Sequence, residues 1–274
     1  MTPVLVATDL DGTVLFSERA MGTSRPDPAR LTAIDVVDDH IYAHMTDTVI
    51  AGWITLAEAG AVLPATTRSV PQYTRLQLPG PPPRYAVVCN GGRILVDGRS
   101  DPDWDRQVRV ALRGAATFTE VEKQCAAWRD ERDFASLRSV EDFFVYFTVT
   151  VREDWLAPFA GEVADWCRDR GWRASLQGRK LYLLPDVLDK AAAVAEVARR
   201  VGARRVVAGG DSLLDQRMLG TADAAIRPAH GELHLTGYSA PHCRTTTGHG
   251  AAAGDEIMDW YVGELGTHRV ARMP

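Results

Sequence analysis

Asp9 and Asp11 stand two residues apart in Asp9-Leu10-Asp11-Gly12-Thr13, directly after the apolar run Val4-Leu5-Val6-Ala7. An apolar run that stops at an aspartate, with a glycine close behind, reads as a buried parallel strand ending in a loop. The carboxyl end of such a strand is where an open α/β sheet binds its ligand. Two carboxylates at that place can approach one ligand, one as nucleophile and the other as general acid/base. The same residues could form a plain turn, or open a calcium loop, although Thr13 and Leu15 lack the carboxylates that such a loop would use. Gly209-Gly210-Asp211-Ser212-Leu213-Leu214-Asp215 repeats the arrangement, with two carboxylates four residues apart after glycines. That suits a hard cation seeking oxygen ligands, and equally a glycine turn in which Asp211 caps the next helix. Thr66 follows a second apolar run and taken alone is a cap or packing residue, as Lys190 taken alone is a solvated first-turn lysine.

The elements that must position these residues follow from periodicity. Pro3–Thr8 reads as the strand that delivers Asp9, Thr48–Gly60 has helical spacing, and Ala61–Ala65 is the strand that delivers Thr66. Leu31–Ile41 is expected to form a hairpin in the otherwise irregular stretch between Phe16 and Asp47. The stiff Gly80-Pro81-Pro82-Pro83 linker leads into Tyr85–Cys89, expected as a third strand of the core, ending at Asn90-Gly91-Gly92. After Arg99 the texture changes to α-β-β-α-β-β between about Asp101 and Pro185, with a break in the first helical stretch near Gly114. From Asp189 a helix and the strand Arg205–Ala208 resume β-α alternation. The fold class is therefore α/β: a doubly wound, Rossmann-like parallel sheet built from residues 1–100 and 186–274, with residues 101–185 as an inserted α+β domain.

Taken together and in this order, Asp9-Leu10-Asp11-Gly12-Thr13, Thr66, Lys190 and Gly210-Asp211-Ser212 with Asp215 resemble the four motifs of the haloacid dehalogenase superfamily. The chain is most similar to the class IIB branch of Cof-like sugar phosphatases, sucrose-phosphate phosphatases and mannosyl-3-phosphoglycerate phosphatases. Asn90-Gly91-Gly92 resembles that branch's Asn-Gly-Ala element, and an αββαββ cap between the second and third motifs is its hallmark. Leu214 stands where many relatives carry Asn, Thr67 where Cof-like proteins carry Gly, and the stretch from Asp9 to Thr66 is longer than in relatives. The resemblance implies a phosphatase that forms an aspartyl-phosphate on Asp9. Asp11 would serve as acid and base held by Thr13, with Thr66 and Lys190 completing the catalytic set. Mg²⁺ would be held by Asp9, the backbone carbonyl of Asp11 and Asp211, with Asp215 orienting Lys190 or metal-bound water. Substrate contacts would come from Thr66, Arg68, Asn90, Gly91, Arg179, Lys180 and Tyr182. Each of the last three also reads as a turn or packing residue. A phosphoryl transferase or mutase, and a binding protein that retains the site with little turnover, are the competing functions.

Bulk properties agree with a small-molecule substrate. A formal net charge of −5 removes the electrostatic driver of non-specific nucleic-acid binding, and no run has the length of a membrane span. Four scattered cysteines without a CxxC pair are expected as reduced thiols, and the short apolar run before Asp9 does not fit a signal peptide, so the expected location is the cytoplasm. The expected partner is a small phosphorylated metabolite, with no nucleic acid and no membrane, for a monomer or homodimer.

Overall fold

The structure, a computed structural model, describes residues 4–22 and 25–270. They form two compact units, one from the chain up to Ser100 together with the chain from Lys190 onward, the other Asp101–Asp189.

In the first unit β1 (Val4–Thr8) is buried at every position. β2 (Leu31–Val37) and β3 (His40–Thr46) form an antiparallel hairpin, five residues longer than the expected Leu31–Ile41. Its turn residues Asp38 and Asp39 both have positive φ (48° and 61°), the backbone handedness that fits a two-residue turn to the twist of its strands. α1 (Asp47–Glu58) starts where the Thr46 side chain accepts a hydrogen bond from the Val49 N–H, and it has an acidic residue in its first turn. β4 (Val62–Pro64) and the short α2 (Val70–Thr74), opened by a Ser69–Gln72 capping box, follow. β5 (Tyr85–Val88), β6 (Arg93–Val96) and β7 (Arg99–Ser100) make an antiparallel three-stranded sheet. The expectation that Tyr85–Cys89 is a strand of the core sheet is thereby corrected. β5 pairs antiparallel with β6, and its ladder contact with the segment that follows β4 is an isolated parallel bridge, Ala65–Val87.

The second unit opens with two helices, α3 (Pro102–Leu112) and α4 (Phe118–Glu131), where a single leading helix would give αββαββ. Gly114-Ala115-Ala116 ends the first, and the Thr117 side chain caps the next by accepting from the Glu120 N–H. β8 (Ser136–Val140), β9 (Phe144–Thr148), α5 (Leu156–Arg168), β10 (Trp172–Gln177) and β11 (Lys180–Pro185) complete it, in an antiparallel sheet of order β10-β11-β9-β8. The unit extends past Pro185 because the Arg173 guanidinium donates to the carbonyls of Asp186 and Leu188.

The chain then returns to the first unit with α6 (Lys190–Val201), β12 (Arg205–Gly209), α7 (Gln216–Thr221), β13 (Ala224–Arg227), α8 (Gly231–Leu235), β14 (Cys243–Thr245) and α9 (Ala251–Val270). Five strands form one parallel sheet in the order β14-β13-β12-β1-β4. Its register sets Thr8 beside both Gly209 and Pro64. Residues leaving β1, β4 and β12 therefore emerge side by side at one edge of the sheet.

Packing under that edge is tight. A Cβ placed on Gly209 would lie 1.9 Å from the hydroxyl of Tyr261, a fully buried ring on α9. Gly209→Ala is expected to destabilise the protein by about 1–3 kcal/mol, since a rigid ring must move. Gly263→Ala, in open space on the exposed side of α9, is expected to stabilise it by about 0.5–1 kcal/mol. Urea denaturation checks both, and equal midpoints for Gly209→Ala and wild type would show that the ring yields without strain.

Candidate active site

Asp9 leaves β1 with its N–H donating to the Gly209 carbonyl, so the backbone of β12 fixes where its carboxylate begins. Asp9 Oδ1 accepts from Lys190 Nζ at 2.6 Å, and the same ammonium donates to Asp215 Oδ1 at 2.6 Å. Lys190 opens α6, where the helix dipole disfavours a cation, and its side chain is only 1% exposed. A buried ammonium without partners costs several kcal/mol, so the two carboxylates are what make this placement tolerable. Burial disfavours the charged lysine, but Asp215 and Asp9 outweigh it and raise its pKa. Asp215 is held in turn, because its Oδ2 accepts from the Ser212 N–H (3.0 Å) and Oγ (2.8 Å). Leu214, between Ser212 and Asp215, is buried.

Asp211 completes the cluster. One carboxylate oxygen from each of Asp9, Asp211 and Asp215 lies within 4.8 Å of the others. At such spacing like charges repel by about 3 kcal/mol per pair for an effective dielectric of about 20, and one lysine cannot compensate three carboxylates. Burial raises the Asp9 carboxyl to about 7, with Asp215 and Asp11 adding to it and Lys190 opposing. Asp211 is raised well above its ordinary value by burial, then by Asp9, Asp215 and Glu232. The backbone is shaped to this carboxylate. Gly12 has φ +84°, and a Cβ there would sit 2.7 Å from Asp211 Oδ2; one on Gly231 (φ +77°) would sit 2.8 Å from the same oxygen. An all-oxygen, excess-negative cluster is the donor chemistry of a hard divalent cation, so the residues present fit Mg²⁺.

The Asp11 carboxylate points elsewhere. Arg68 grips it with one edge of its guanidinium, Nε to Oδ2 and Nη2 to Oδ1, each at 2.7 Å. Thr13, which the resemblance pairs with Asp11, is fully buried, and its Oγ1 hydrogen-bonds nothing among the described residues. The third arm of Arg68, Nη1, donates at 2.6 Å to Asp35 from the β2–β3 hairpin. Thr66 is buried, with Oγ1 accepting from the Arg68 N–H and its carbonyl accepting from the Asn90 N–H. Cys89, Asn90 and Gly91 all take positive φ (52°, 55° and 92°), unusual for the first two, and the Cys89 N–H donates to the Arg68 carbonyl. Thr66, Arg68, Asn90 and Gly91 thus form one stapled pair of loops. Thr67 between them is half-buried.

Arg179, Lys180 and Tyr182 belong to the second unit. Arg179 donates to the Thr150 carbonyl, Lys180 lies over the Tyr146 ring, and Tyr182 is buried against Phe144 and Tyr146. In the same unit Trp172 is buried and donates to the Ala116 carbonyl, and Trp128 packs edge-on against Phe159 and Trp166.

Two residues beside the cluster escaped the sequence reading. Asp35 is 1% exposed between Arg68 and Arg75; the signal was a lone acid in the apolar run Ala33-Ile34-Asp35-Val36-Val37. His230 accepts at Nδ1 from the Gly250 N–H, which places its proton on Nε2 to donate to the Gly12 carbonyl at 2.8 Å. Burial lowers its pKa and keeps it the neutral brace of the Asp9–Thr13 loop. All four cysteines are free thiols, and no helix among the described residues is long and apolar enough to cross a membrane.

No protein-family model matches the chain, and no curated protein matches it. Solved structures do. The sucrose-phosphatase of Synechocystis sp. PCC6803, solved in complex with sucrose and phosphate, is similar at a TM-score of 0.67 and 14% identity over 97% of this chain and 99% of that one. The C-terminal domain of the C. albicans trehalose-6-phosphate phosphatase gives 0.60 at 11% identity, over 96% and 93%. A haloacid dehalogenase-like hydrolase from Bacteroides thetaiotaomicron gives 0.51 at 16% identity, over 96% and 98%. With five parallel strands, an inserted α+β unit and these neighbours along nearly its whole length, the chain has the fold of the haloacid dehalogenase-like hydrolases.

Proposed function

We propose that the chain is a Mg²⁺-dependent phosphomonoester hydrolase that works through an aspartyl-phosphate on Asp9. The observation that carries this reading is the buried Asp9–Lys190–Asp215 chain with Asp211 beside it, at the shared edge of β1 and β12. A carboxylate held by a lysine, next to an oxygen cluster suited to a divalent cation, is the apparatus that a dianionic substrate requires before an anion can attack it.

Asp9 attacks phosphorus, and the bond from phosphorus to the ester oxygen breaks. Lys190 favours the ionised form of Asp9 against the effect of burial and offers its ammonium to the phosphoryl oxygens. Thr66 and the backbone N–H groups of the Asp11 loop bind the equatorial oxygens. Asp11 gives its proton to the departing alkoxide, then takes one from the water that attacks phosphorus and frees Asp9. Mg²⁺ held by Asp9, the Asp11 carbonyl and Asp211 would supply the remaining positive charge. Asp215 serves through Lys190, having both oxygens engaged already. Similarity to the Synechocystis sucrose-phosphatase and the C. albicans trehalose-6-phosphate phosphatase domain supports a phosphosugar or related small phosphate ester as substrate. Arg179, Lys180 and Tyr182 are the candidates for leaving-group contacts from the inserted unit.

Asp9→Asn is expected to reduce hydrolysis of p-nitrophenyl phosphate by at least about a thousandfold, since the nucleophile is lost with little change of volume. The thermal midpoint in chelator should be no lower than wild type, because one of three crowded carboxylates is gone while Asp215 still pairs Lys190. Near-wild-type turnover by this variant would end the covalent mechanism.

Cation binding should also be linked to protons. With Asp9 raised to about 7 and Asp211 raised as well, protons occupy the cluster below that pH and must leave when Mg²⁺ enters. Apparent Mg²⁺ affinity is therefore expected to rise as pH increases from 6 toward 8, on a scale set by the value near 7. Calorimetric titration in buffers of different ionisation enthalpy should show net proton release. A pH-independent affinity with no proton release would count against a cation in this cluster.

A further inference from the structure

The β2–β3 hairpin contains an irregularity that serves the site. Register shifts flank Asp35, between Ala33 and Asp35 and between Asp35 and Val36. A regular strand would send Ile34 and Asp35 to opposite faces, yet both are 1% exposed. A bulge re-aims side chains in this way, and bulges concentrate beside active sites. The Ile34 carbonyl accepts from the Gln77 N–H, and the hairpin is rooted to the loop that follows Asp9 by paired hydrogen bonds between Phe16 and His44. The carboxylate turned inward meets two guanidinium groups. Asp35 Oδ2 accepts from Arg68 Nη1 at 2.6 Å and from Arg75 Nη2 at 3.1 Å, and Oδ1 accepts from Arg75 Nε at 2.7 Å. Arg68 has a planar fork with two usable edges, so fixing Nη1 on Asp35 determines where Nε and Nη2 point. They point at Asp11, with two bonds of 2.7 Å.

We propose that Asp35 is a positioning residue for the proposed reaction: carried by an added hairpin, it locks Arg68 so that the guanidinium presents its Nε–Nη2 edge to Asp11, the acid/base. The proposal rests on the phosphatase reading and goes beyond it, since it assigns the hairpin a part in leaving-group protonation. Asp35 touches neither phosphate nor cation in this scheme. Its influence passes through Arg68 to the position that Asp11 leaves when it turns, protonated, to the departing oxygen. An aryl phosphate departs without much help from an acid, whereas an alkyl phosphate needs its oxygen protonated. Loss of Asp35 therefore selects between leaving groups, which loss of a merely structural anchor would not.

The test uses the full chain with Mg²⁺ and two probes, β-glycerol phosphate and p-nitrophenyl phosphate. Asp35→Asn is expected to lower kcat on the alkyl ester by about tenfold or more and on the aryl ester by less than about threefold, a fraction of what general acid catalysis contributes. Arg75→Gln removes the other partner of Asp35 without touching Asp11. It should lower the thermal midpoint and leave the alkyl-to-aryl ratio unchanged. In an Arg68→Gln background Asp35→Asn should change the ratio no further, because the route is already cut. If Asp35→Asn does not fold, Asp35→Glu keeps the buried countercharge while displacing Arg68, and the same fall in the ratio is expected. Equal losses on both esters, an additive effect in the Arg68→Gln background, or a ratio that shifts as much in Arg75→Gln would overturn the proposal. No wild-type turnover of either ester would sink the phosphatase reading and this inference with it, whereas wild-type turnover with an unchanged ratio in Asp35→Asn overturns this inference alone.

Discussion

An ammonium group with almost no solvent contact has to be answered by charge, and the first unit is organised around answering Lys190. Its two bonds of 2.6 Å go to Asp9 and Asp215, residues 181 and 25 positions away in sequence. The two carboxylates cannot both be withdrawn without leaving a buried ion unpaired, a loss of about 3–5 kcal/mol for pairs of this kind. That penalty constrains the strands as much as the side chains. β1 must end where Asp9 faces the start of α6, and the glycine-rich turn after β12 must bring Asp215 to the other side. The capping pair of Ser212 and Asp215 then fixes the second carboxylate from its free oxygen. A lysine placed against the dipole of its own helix is tolerable only in such a setting, and the same setting leaves the neighbouring Asp211 in excess.

Parallel pairing is what makes the convergence possible. In a parallel sheet adjacent strands end at the same edge, and β1, β4 and β12 are aligned so that Thr8, Pro64 and Gly209 stand level. The next residues of each strand, Asp9, Ala65 with Thr66, and Gly210 with Asp211, then leave together. Glycine at 209 admits the Tyr261 ring close beneath that edge, and glycines at 12 and 231 admit the Asp211 carboxylate above it. Small residues in these positions are a condition for crowding charge and aromatic bulk into one corner.

The central strands, the helices that connect them and the gathering of Asp9, Lys190, Asp211 and Asp215 were legible because their signals are local. An apolar run, a carboxylate at its end and a glycine after it lie within ten residues of one another. The placement of Tyr85–Val88 was not legible, since an apolar run of four does not say which strands it pairs with: it has a full antiparallel ladder with β6 and a single parallel bridge to Ala65. The split of the first helical stretch into α3 and α4 was marked by Gly114, though the cap at Thr117 was not recognised. Asp35 was missed for a different reason. Alternation in a strand predicts facing only while the register is regular, and the bulge that turns Asp35 inward leaves no mark in Ala33-Ile34-Asp35-Val36-Val37 other than the charge itself. The partner of Asp11 was missed likewise, because a salt bridge between residues 57 apart depends on how the Thr66–Arg68 loop is stapled to Cys89 and Asn90.

Arg68 stands between two carboxylates of very different standing, and the difference decides which bond can change. Asp35 has a side chain 1% exposed and shares two arginines, which hold its carboxyl below the usual range, so parting from it would strand a buried charge. Asp11 is 52% exposed while Arg68 is 12% exposed, so water reaches the pair from the Asp11 side and can substitute for Arg68 there. Of the two carboxylates Asp11 is the one that can part from Arg68 into water, while Arg68 stays where Asp35 holds it. An acid/base must exchange partners within a turnover, and the groups around it must not follow. Burying the anchor and exposing the exchangeable pair achieves both with one guanidinium, which is the part that the proposed reaction gives to the β2–β3 hairpin.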